Sequence, residues 1–293
     1  MESPILYIVF NRPEVTEITF QKIKEIKPKK LYIVIDAART DKKGEYLLVE
    51  RVKNIVSQKN INWNCELKYL VREENYGCKK NITTAISWAL EKEDRLIILE
   101  DDIVITKAFI EFANEMLEKY KNTENVAMVS ANNYTPLKSL KSDYLFSNYG
   151  HIWGWATWKR VWSKFDVEVP YLEWTVANDL SDMKFVSKKE KKYYKHYFSM
   201  WLEKIKSKTE NAWGPQFFFF RRQNNLLSIV PKVNLASNIG VFSSRTGIKA
   251  KKNNFYFEST ENYKVLKHPK EIACDVTYEK YHFKKHILGS NFK

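Results

Sequence analysis

The 293-residue sequence contains few of the residues that mark fibrous, low-complexity or disulfide-rich proteins. Its 8 glycines and 8 prolines are too few for a collagen-like or low-complexity chain. The three cysteines, Cys65, Cys78 and Cys274, are odd in number and widely spaced. This pattern argues against a disulfide framework or a zinc site and fits a reducing cytoplasm.

Long apolar runs are also missing. Residues 4–10 form an apolar run that is too short for the hydrophobic region of a signal peptide. No stretch approaches the roughly 20 apolar residues that a membrane span requires. We therefore expect a cytoplasmic protein.

Basic residues outnumber acidic ones, with 49 Lys and Arg against 35 Asp and Glu, which gives a formal net charge of +14. Such an excess predicts anionic partners, and nucleotide phosphates, anionic lipid and nucleic acid all satisfy it. Apolar residues make up 44% of the chain, which is enough to build a substantial core and argues against disorder.

The first half of the chain alternates short apolar runs with amphipathic segments, which is typical of βαβ units and a parallel sheet. Ligands bind such sheets at the carboxyl ends of the strands. Polar residues accumulate at those predicted ends. They are Asn11 and Arg12 after the first strand, Asp36 after the second, residues 72–77 after the third, and Glu100, Asp101 and Asp102 after the fourth.

The second half is less regular. Residues 149–162 are rich in Trp and Gly, residues 188–206 predict a basic helix, and residues 226–230 predict a late strand. No internal repeat or clear linker is present. We predict one continuous domain over residues 1–245, followed by a basic, aromatic C-terminal extension over residues 246–293.

The triplet Glu100-Asp101-Asp102 ends an apolar strand. Side chains alternate along a strand, so Glu100 and Asp102 are expected on one face and Asp101 on the other. Mg²⁺ or Mn²⁺ takes one or two carboxylates and completes its shell with water and phosphate oxygens. The alternative is a solvated helix N-terminus, where acids favour the helix dipole.

Three segments in order resemble the nucleotide-sugar-binding half of GT-A glycosyltransferases, and bacterial sugar transferases related to the N-acetylglucosaminyltransferase I family most of all. The first runs from residue 72 to residue 102 and includes Asn75-Tyr76-Gly77-Cys78-Lys79 and the acidic triplet. The second is His151-Ile152-Trp153-Gly154-Trp155-Ala156-Thr157-Trp158, and the third is the run PKVNLASNIG at residues 231–240. The resemblance covers residues 5–240 and implies a Rossmann-like α/β fold, with a mixed, mostly parallel sheet flanked by helices.

The resemblance also implies roles for individual residues. Asp102 would bind a divalent cation, Mn²⁺ or Mg²⁺, that bridges the two phosphates of a nucleotide-sugar donor. Glu100 and Asp101 would contact ribose or sugar hydroxyls. The remaining positions around the donor would be Asn11, Arg12 and Asp36 at the base and ribose, Asn75 and Gly77 along the pocket wall, and Lys79 or Lys80 near phosphate.

The Trp-rich segment admits two interpretations. The rings of Trp153, Trp155 and Trp158 could form a sugar platform, with a hydrogen bond from His151 to a sugar hydroxyl. Alternatively the segment packs into the core, because Trp is usually mostly buried. We favour the core for any single Trp and a site role for His151.

The sequence departs from the related enzymes at two positions. They place an Asp after a Trp where this chain has Gly214, so the general base that an inverting transfer needs is missing there. They also carry a His shortly after the Asn-Ile-Gly element, where this chain has none. Glu210, or Asp179 or Asp182, could supply the base, and Arg245 could pair with diphosphate in place of metal assistance.

These features predict a metal-dependent glycosyltransferase that uses a nucleoside diphosphate sugar, with a UDP-sugar as the expected donor. The acceptor would be a glycan or a lipid-linked oligosaccharide in bacterial surface polysaccharide synthesis. A catalytically silent nucleotide-sugar or glycan-binding protein is the alternative. The basic clusters are either solvated lysines or a peripheral contact to the inner face of the plasma membrane. No nucleic-acid-binding module is recognisable, so we do not predict that partner.

Overall fold

A central eight-stranded sheet organises the computed structural model of the chain, which describes residues 2–240 and 260–291. Its strand order is β3-β2-β1-β4-β8-β6-β9-β7, and a separate two-stranded sheet pairs β10 with β5. The strands are β1 (Ile5–Val9), β2 (Lys30–Ile35), β3 (Glu66–Val71), β4 (Arg95–Glu100), β5 (Ile103–Ile105), β6 (Val126–Ser130), β7 (Tyr144–Ser147), β8 (Trp155–Trp158), β9 (Leu227–Pro231) and β10 (Ala236–Asn238).

The first four strands of the sheet order are parallel, and β6 and β9 are parallel to each other. β8 runs antiparallel to both β4 and β6, and β7 runs antiparallel to β9. Six of the eight strands therefore point in one direction. The predicted mixed, mostly parallel α/β fold with flanking helices is confirmed.

Helices cover the sheet and connect its strands. They are α1 (Pro13–Ile26), α2 (Glu45–Ile55), α3 (Gly77–Lys92), α4 (Lys107–Lys119), α5 (Lys159–Trp162), α6 (Leu172–Ala177), α7 (Lys188–Lys206), α8 (Gly214–Gln223), α9 (Val276–His282) and α10 (Leu288–Asn291), with a 3₁₀ turn at Gln58–Asn60 and a π-helical turn at Phe283–Ile287. None of the helices in the described part of the chain is both long enough and apolar enough to cross a bilayer.

Local sequence explains where several helices begin. Pro13 occupies the first turn of α1, where its missing N–H is not needed. The side chains of Thr106, Ser187 and Asp275 accept hydrogen bonds from the backbone N–H groups three residues ahead and cap α4, α7 and α9. Such caps satisfy N–H groups that have no partner within the helix.

The core lies on both faces of the sheet. All five residues of β1 and five of the six in β2 are buried, because helices pack on both sides. Because both strands are buried on two faces, they are continuous apolar runs in the sequence, and these runs predict them as strands. A second apolar cluster lies between α7, α8 and the C-terminal helical segment, which comprises α9, the π-helical turn and α10. The cluster includes Tyr149, Phe198, Phe219 and Phe283.

Residues 260–291, which belong to the predicted C-terminal extension, pack against the rest of the chain. The ring of Tyr263 lies 5.7 Å from that of Phe112, and Tyr278 is fully buried. Glu279, also fully buried, accepts hydrogen bonds from the side chain of Ser147 and from the backbone N–H of Asn148. The predicted boundary at residue 245 lies outside the described residues.

Candidate functional site

Polar side chains gather at the carboxyl ends of the four parallel strands. β1 ends before Asn11 and Arg12, β2 before Asp36, and β4 at Glu100. The backbone register aligns Val9 of β1 with Ile35 of β2 and Ile8 with Glu100, so these ends share one edge of the sheet. This is the edge at which α/β sheets bind ligands.

Arg12 holds two members of the acidic triplet. Its guanidinium donates to both carboxylate oxygens of Asp101, and its Nη1 lies 2.9 Å from Oδ2 of Asp102. Burial lowers the pKa of Arg12, but the charges of Asp101 and Asp102 outweigh it and the net shift is upward. Burial also raises the pKa of Asp101, to about 6, although Arg12 opposes that shift.

The alternative of a solvated helix N-terminus is wrong for this triplet. Asp101 and Asp102 are buried, and β5 and Thr106 separate them from the start of α4. The predicted alternation of faces also ends at Glu100, because the chain turns at Asp101-Asp102 and Arg12 reaches both carboxylates. The triplet is a buried turn rather than a continued strand.

Glu100 is the member of the triplet that Arg12 does not contact. Within the described residues its side chain has no hydrogen bond or ion pair, and it is only partly buried by its neighbours. Burial raises its pKa to about 8, and the charges of Asp102 and Asp101 add to the shift. A carboxyl group in this setting gains from any cation or hydroxyl donor that approaches it.

The third resemblance segment, residues 231–240, ends directly against Asp102. The backbone N–H of Ile239 donates to the carbonyl oxygen of Asp102 at 2.9 Å, and β10 pairs with β5 just after the triplet. A Cβ placed on Gly240 would lie 2.8 Å from Nη1 of Arg12 and 2.9 Å from Cβ of Asp102. Only glycine allows the backbone to approach the ion pair this closely.

Asp36 binds the loop that leads into α3. Its carboxylate accepts hydrogen bonds from the backbone N–H groups of Tyr76 and Gly77, at 2.9 and 3.1 Å, and from the amide of Asn75 at 3.1 Å. Burial raises the pKa of Asp36, and the backbone N–H donors oppose that shift. Asp36 therefore fixes the loop that contains Asn75. The contact of Asp36 with base and ribose and the place of Asn75 along the pocket wall stay predictions.

Gly77 begins α3 with a φ of +69°, which side chains rarely adopt. A Cβ there would lie 3.4 Å from Oδ1 of Asn211.

Asn11, which follows β1, is buried, and its side-chain amide donates a hydrogen bond to Oε1 of Glu45 at 2.6 Å. Glu45 in turn pairs with Arg39.

Lys79, in the first turn of α3, forms an ion pair with Glu210. Nζ of Lys79 lies 2.8 Å from Oε1 of Glu210 and 2.8 Å from Oε1 of Glu168. Oε2 of Glu210 is buried and has no hydrogen-bond partner in the part of the chain that the structure describes. Burial raises the pKa of Glu210, but the hydrogen bond and charge of Lys79 together with a backbone hydrogen bond outweigh it, and the net shift is downward. Lys80 is exposed and lies over the ring of Tyr76, 3.6 Å from its centroid.

The structure corrects the sugar-platform interpretation for Trp155. It is the first residue of β8, it is 1% exposed, and the rings of Trp213 and Phe217 pack against it at 5.5 and 5.2 Å. A residue of an inner strand points into the core, so no sugar can reach it. Trp158 is buried in the same way and donates to the carbonyl oxygen of Leu117.

His151 and Trp153 instead line a cavity of about 370 Å³. Its wall is mostly aromatic, and Gly214, the position where related enzymes have an acid, lies on its rim. A Cβ on Gly214 would meet the side chain of Ile152 at 3.0 Å. The predicted Arg245 lies outside the described residues.

This site can hold a divalent cation only when the phosphate oxygens of a bound ligand supply some of the metal ligands. The carboxylate oxygens of the triplet do not all lie within 4.8 Å of one another. Among the described residues, only a group of three histidines brings its ligand atoms that close together. Asp102 can offer one oxygen, and no other described residue forms a hydrogen bond or ion pair with the Glu100 side chain. One or two carboxylates are what Mg²⁺ or Mn²⁺ requires when diphosphate oxygens and water complete the shell.

Sequence reasoning missed several residues that organise the site. Asn211 contacts the first turn of α3 through Gly77 and Lys79, and Glu45 holds Asn11. His282 and His286 lie next to His151 although more than 130 positions separate them along the chain. The sequence did contain one signal: His282 and His286 are four positions apart, a spacing that places two histidines on the same face of a helix.

Comparison with known proteins gives only weak similarity. No family model matches the chain, and no curated protein matches it. A UDP-glucose pyrophosphorylase solved with UDP-glucose aligns over 50% of this chain and 63% of its own, a little under two thirds, with 12% identity and a TM-score of 0.30. HddC from Yersinia pseudotuberculosis aligns over 59% and 86%, with 10% identity and a TM-score of 0.32. Similarity this weak carries no conclusion about function.

Proposed function

We propose that the protein transfers a sugar from a nucleoside diphosphate donor to a glycan acceptor. One observation carries the proposal: Arg12, Glu100 and Asp102 lie together at the carboxyl ends of the parallel strands, under the backbone of Gly240. The site combines the guanidinium of Arg12, the carboxyl group of Glu100, which has no hydrogen bond or ion pair to the described residues, and a close backbone approach. A nucleoside diphosphate with its own divalent cation matches this combination.

In this proposal each group has a separate task. Asp102 binds the ion, and Arg12 holds the side chains of Asp101 and Asp102 in place. Glu100 accepts a hydrogen bond from a sugar or ribose hydroxyl. The bound ion would stabilise the negative charge on the departing nucleoside diphosphate.

Glu210 is the proposed general base. Lys79 holds its Oε1, while the buried Oε2 has no hydrogen-bond partner and can accept the proton of an acceptor hydroxyl. The net downward shift of its pKa, to which Lys79 contributes, leaves Glu210 as a carboxylate at neutral pH, the form that can accept a proton.

The experiment measures donor binding and transfer separately. Calorimetry of UDP-sugars with and without Mn²⁺ is expected to show Mn²⁺-dependent binding that Asp102→Asn abolishes. Glu210→Gln is expected to lower kcat about 10²- to 10⁴-fold with donor affinity unchanged, because it removes only the base. Glu203→Gln, at an exposed position of α7, is the matched control and retains full activity.

Two results would contradict the proposal in distinct ways. Full transfer activity in Glu210→Gln would show that Glu210 is not the base. Binding of nucleotide sugars without hydrolysis or transfer to any acceptor would favour the alternative, a silent nucleotide-sugar-binding protein. Gly214 in place of the related enzymes' acid is the observation that favours this second candidate.

Peripheral attachment to an anionic membrane leaflet is a further part of the proposal. It rests on the net charge of +14. Some lysines of α7 are already neutralised, since Lys191 and Lys195 both pair with Asp179 at 2.8 Å. Sedimentation with anionic vesicles at low salt is expected to pellet the protein, and its absence from the pellet would reject this part.

A further inference from the structure

Three of the five histidines converge beside the aromatic cavity. The ligating atoms of His151, His282 and His286 all lie within 4.8 Å of one another. The ring centroids are 5.1 Å apart for His151 and His282, 5.2 Å for His151 and His286, and 4.9 Å for His282 and His286. His151 follows β7, whereas the other two lie four positions apart on the C-terminal helical segment. That spacing is one that places two histidines on one helical face toward a metal ion.

Two of these rings carry buried nitrogens that have no hydrogen-bond partner among the described residues. They are Nε2 of His151 and Nε2 of His282, and the His282 side chain is fully buried. Buried polar atoms are normally satisfied, and each exception calls for an explanation. Two such nitrogens in one cluster indicate that both are directed at a common ligand.

The other nitrogen of His282 is already held. Its Nδ1 lies 2.8 Å from the hydroxyl oxygen of Thr135, and the backbone N–H of Thr135 donates to Oδ1 of Asn133 at 3.0 Å. A hydrogen bond at one ring nitrogen orients the ring and directs the other nitrogen to a metal ion.

The protonation state suits metal binding. Burial lowers the pKa of His151 and of His282, and the neighbouring histidines add to both shifts. Burial lowers the pKa of His286 to about 4. The imidazoles are therefore neutral at pH 7, and a metal ion does not have to displace a proton.

We propose that His151, His282 and His286 bind one zinc ion, with an open fourth position toward the aromatic cavity. Imidazole nitrogen is a preferred zinc donor, and three histidines with one open position form a known type of zinc site. Nitrogens that share a tetrahedral zinc lie about 3.4 Å apart when each bond is about 2.1 Å, so the rings must close inward. Arg221 also lines the cavity, and its charge favours an anion such as hydroxide at the open position.

This site uses none of the residues that the proposed sugar transfer assigns a task. It gives His151 a zinc-binding role in place of the predicted hydrogen bond to a sugar hydroxyl. It would fasten the C-terminal helical segment to the loop that follows β7. The three widely spaced cysteines argue against a zinc site, but that argument concerns thiolate ligands, whereas this site is made of histidines.

The test uses full-length protein without a histidine tag, stripped of metal and titrated with Zn²⁺ by calorimetry. We expect one ion per chain, and Co²⁺ in its place should give the visible absorption of a tetrahedral nitrogen site. His286→Gln and His151→Gln should each weaken Zn²⁺ binding at least 10-fold. His196→Gln, at an exposed position of α7, is the matched control and should bind as the unchanged protein does.

Two further measurements make the outcome decisive. Circular dichroism must show that His286→Gln is folded, and Asp102→Asn should keep its full Zn²⁺ stoichiometry, which separates this site from the donor site. Absence of Zn²⁺ binding in the unchanged protein would overturn the proposal and leave the three rings as packing. Equal binding by folded His286→Gln, or loss of binding in His196→Gln, would also overturn it.

Discussion

The contact between Gly240 and Asp102 offers a sharp test of the candidate donor site. Replacing Gly240 with alanine adds one methyl group, which would lie 2.8 Å from Nη1 of Arg12 and 2.9 Å from Cβ of Asp102. Ordinary contacts of a Cβ begin at 3.4 Å. The Arg12–Asp102 ion pair must therefore move, or the backbone of residues 238–240 must lift away from it.

The expected size of the effect follows from these distances. The Asp102 carboxylate lies nearest to the added methyl and must shift by on the order of 1 Å, and a misplacement of that size costs about 10²-fold in rate. Overpacking adds about 2 kcal/mol of destabilisation. That corresponds to a decrease in Tm of about 4–8 °C for a chain of this size.

The assay compares Gly240→Ala with the unchanged protein by calorimetry of UDP with Mn²⁺, by donor turnover and by thermal unfolding. Gly289→Ala is the matched control, because its added methyl meets only the carbonyl oxygen of Lys284 at 3.9 Å. A double variant with Asp102→Asn should lose no more activity than Asp102→Asn alone, since both changes act through one carboxylate.

Two outcomes would refute this reasoning. If Gly240→Ala binds and turns over donor as the unchanged protein does, the Asp102 carboxylate is not placed where donor phosphates bind. If the double variant is additive, Gly240 acts through some other contact.

Three further predictions concern stability. Glu279→Ala should cost about 3–5 kcal/mol in urea unfolding, because Glu279 and Arg222 are both almost fully buried 3.8 Å apart and the arginine would lose a counter-charge. Gly77→Ala should cost about 1–2 kcal/mol by the same measurement, since φ is +69° there. The hydrogen bond from Arg39 lowers the pKa of Glu45 from 4.5 to about 2, so this pair stabilises the fold above pH 4.5 and the contribution is lost as the pH falls toward 2. Unfolding of Glu45→Gln should therefore depend less on pH between about 5 and 2.

Controls for these predictions come from the same chain. Glu271→Ala, at an exposed position, should change stability by less than about 0.5 kcal/mol. Gly44 has a φ of +77° but open space around its Cβ, so Gly44→Ala isolates the backbone cost from the contact with Asn211 at Gly77. An unchanged urea midpoint in Glu279→Ala, or an unchanged pH profile in Glu45→Gln, would contradict the respective argument.

Strands and helices of the first half could be predicted because their burial is simple. β1 and β2 are covered on both faces and read as unbroken apolar runs, and α7 was predicted with its observed bounds. Short strands such as β7 and β8 were not predicted. β8 lies antiparallel between two strands of the core, and its sequence, Trp155-Ala156-Thr157-Trp158, has no alternation of polar and apolar residues.

The sequence by itself determined the α/β class and the residues that follow the parallel strands, because an apolar run and its polar end are local properties. Tertiary structure alone decided how those residues are used. Arg12 pairs with carboxylates 89 and 90 positions away, Gly240 closes over the same pair, and His282 and His286 reach His151. Such contacts depend on how the strands are ordered and on what the C-terminal segment packs against, and no local pattern of residues contains that information.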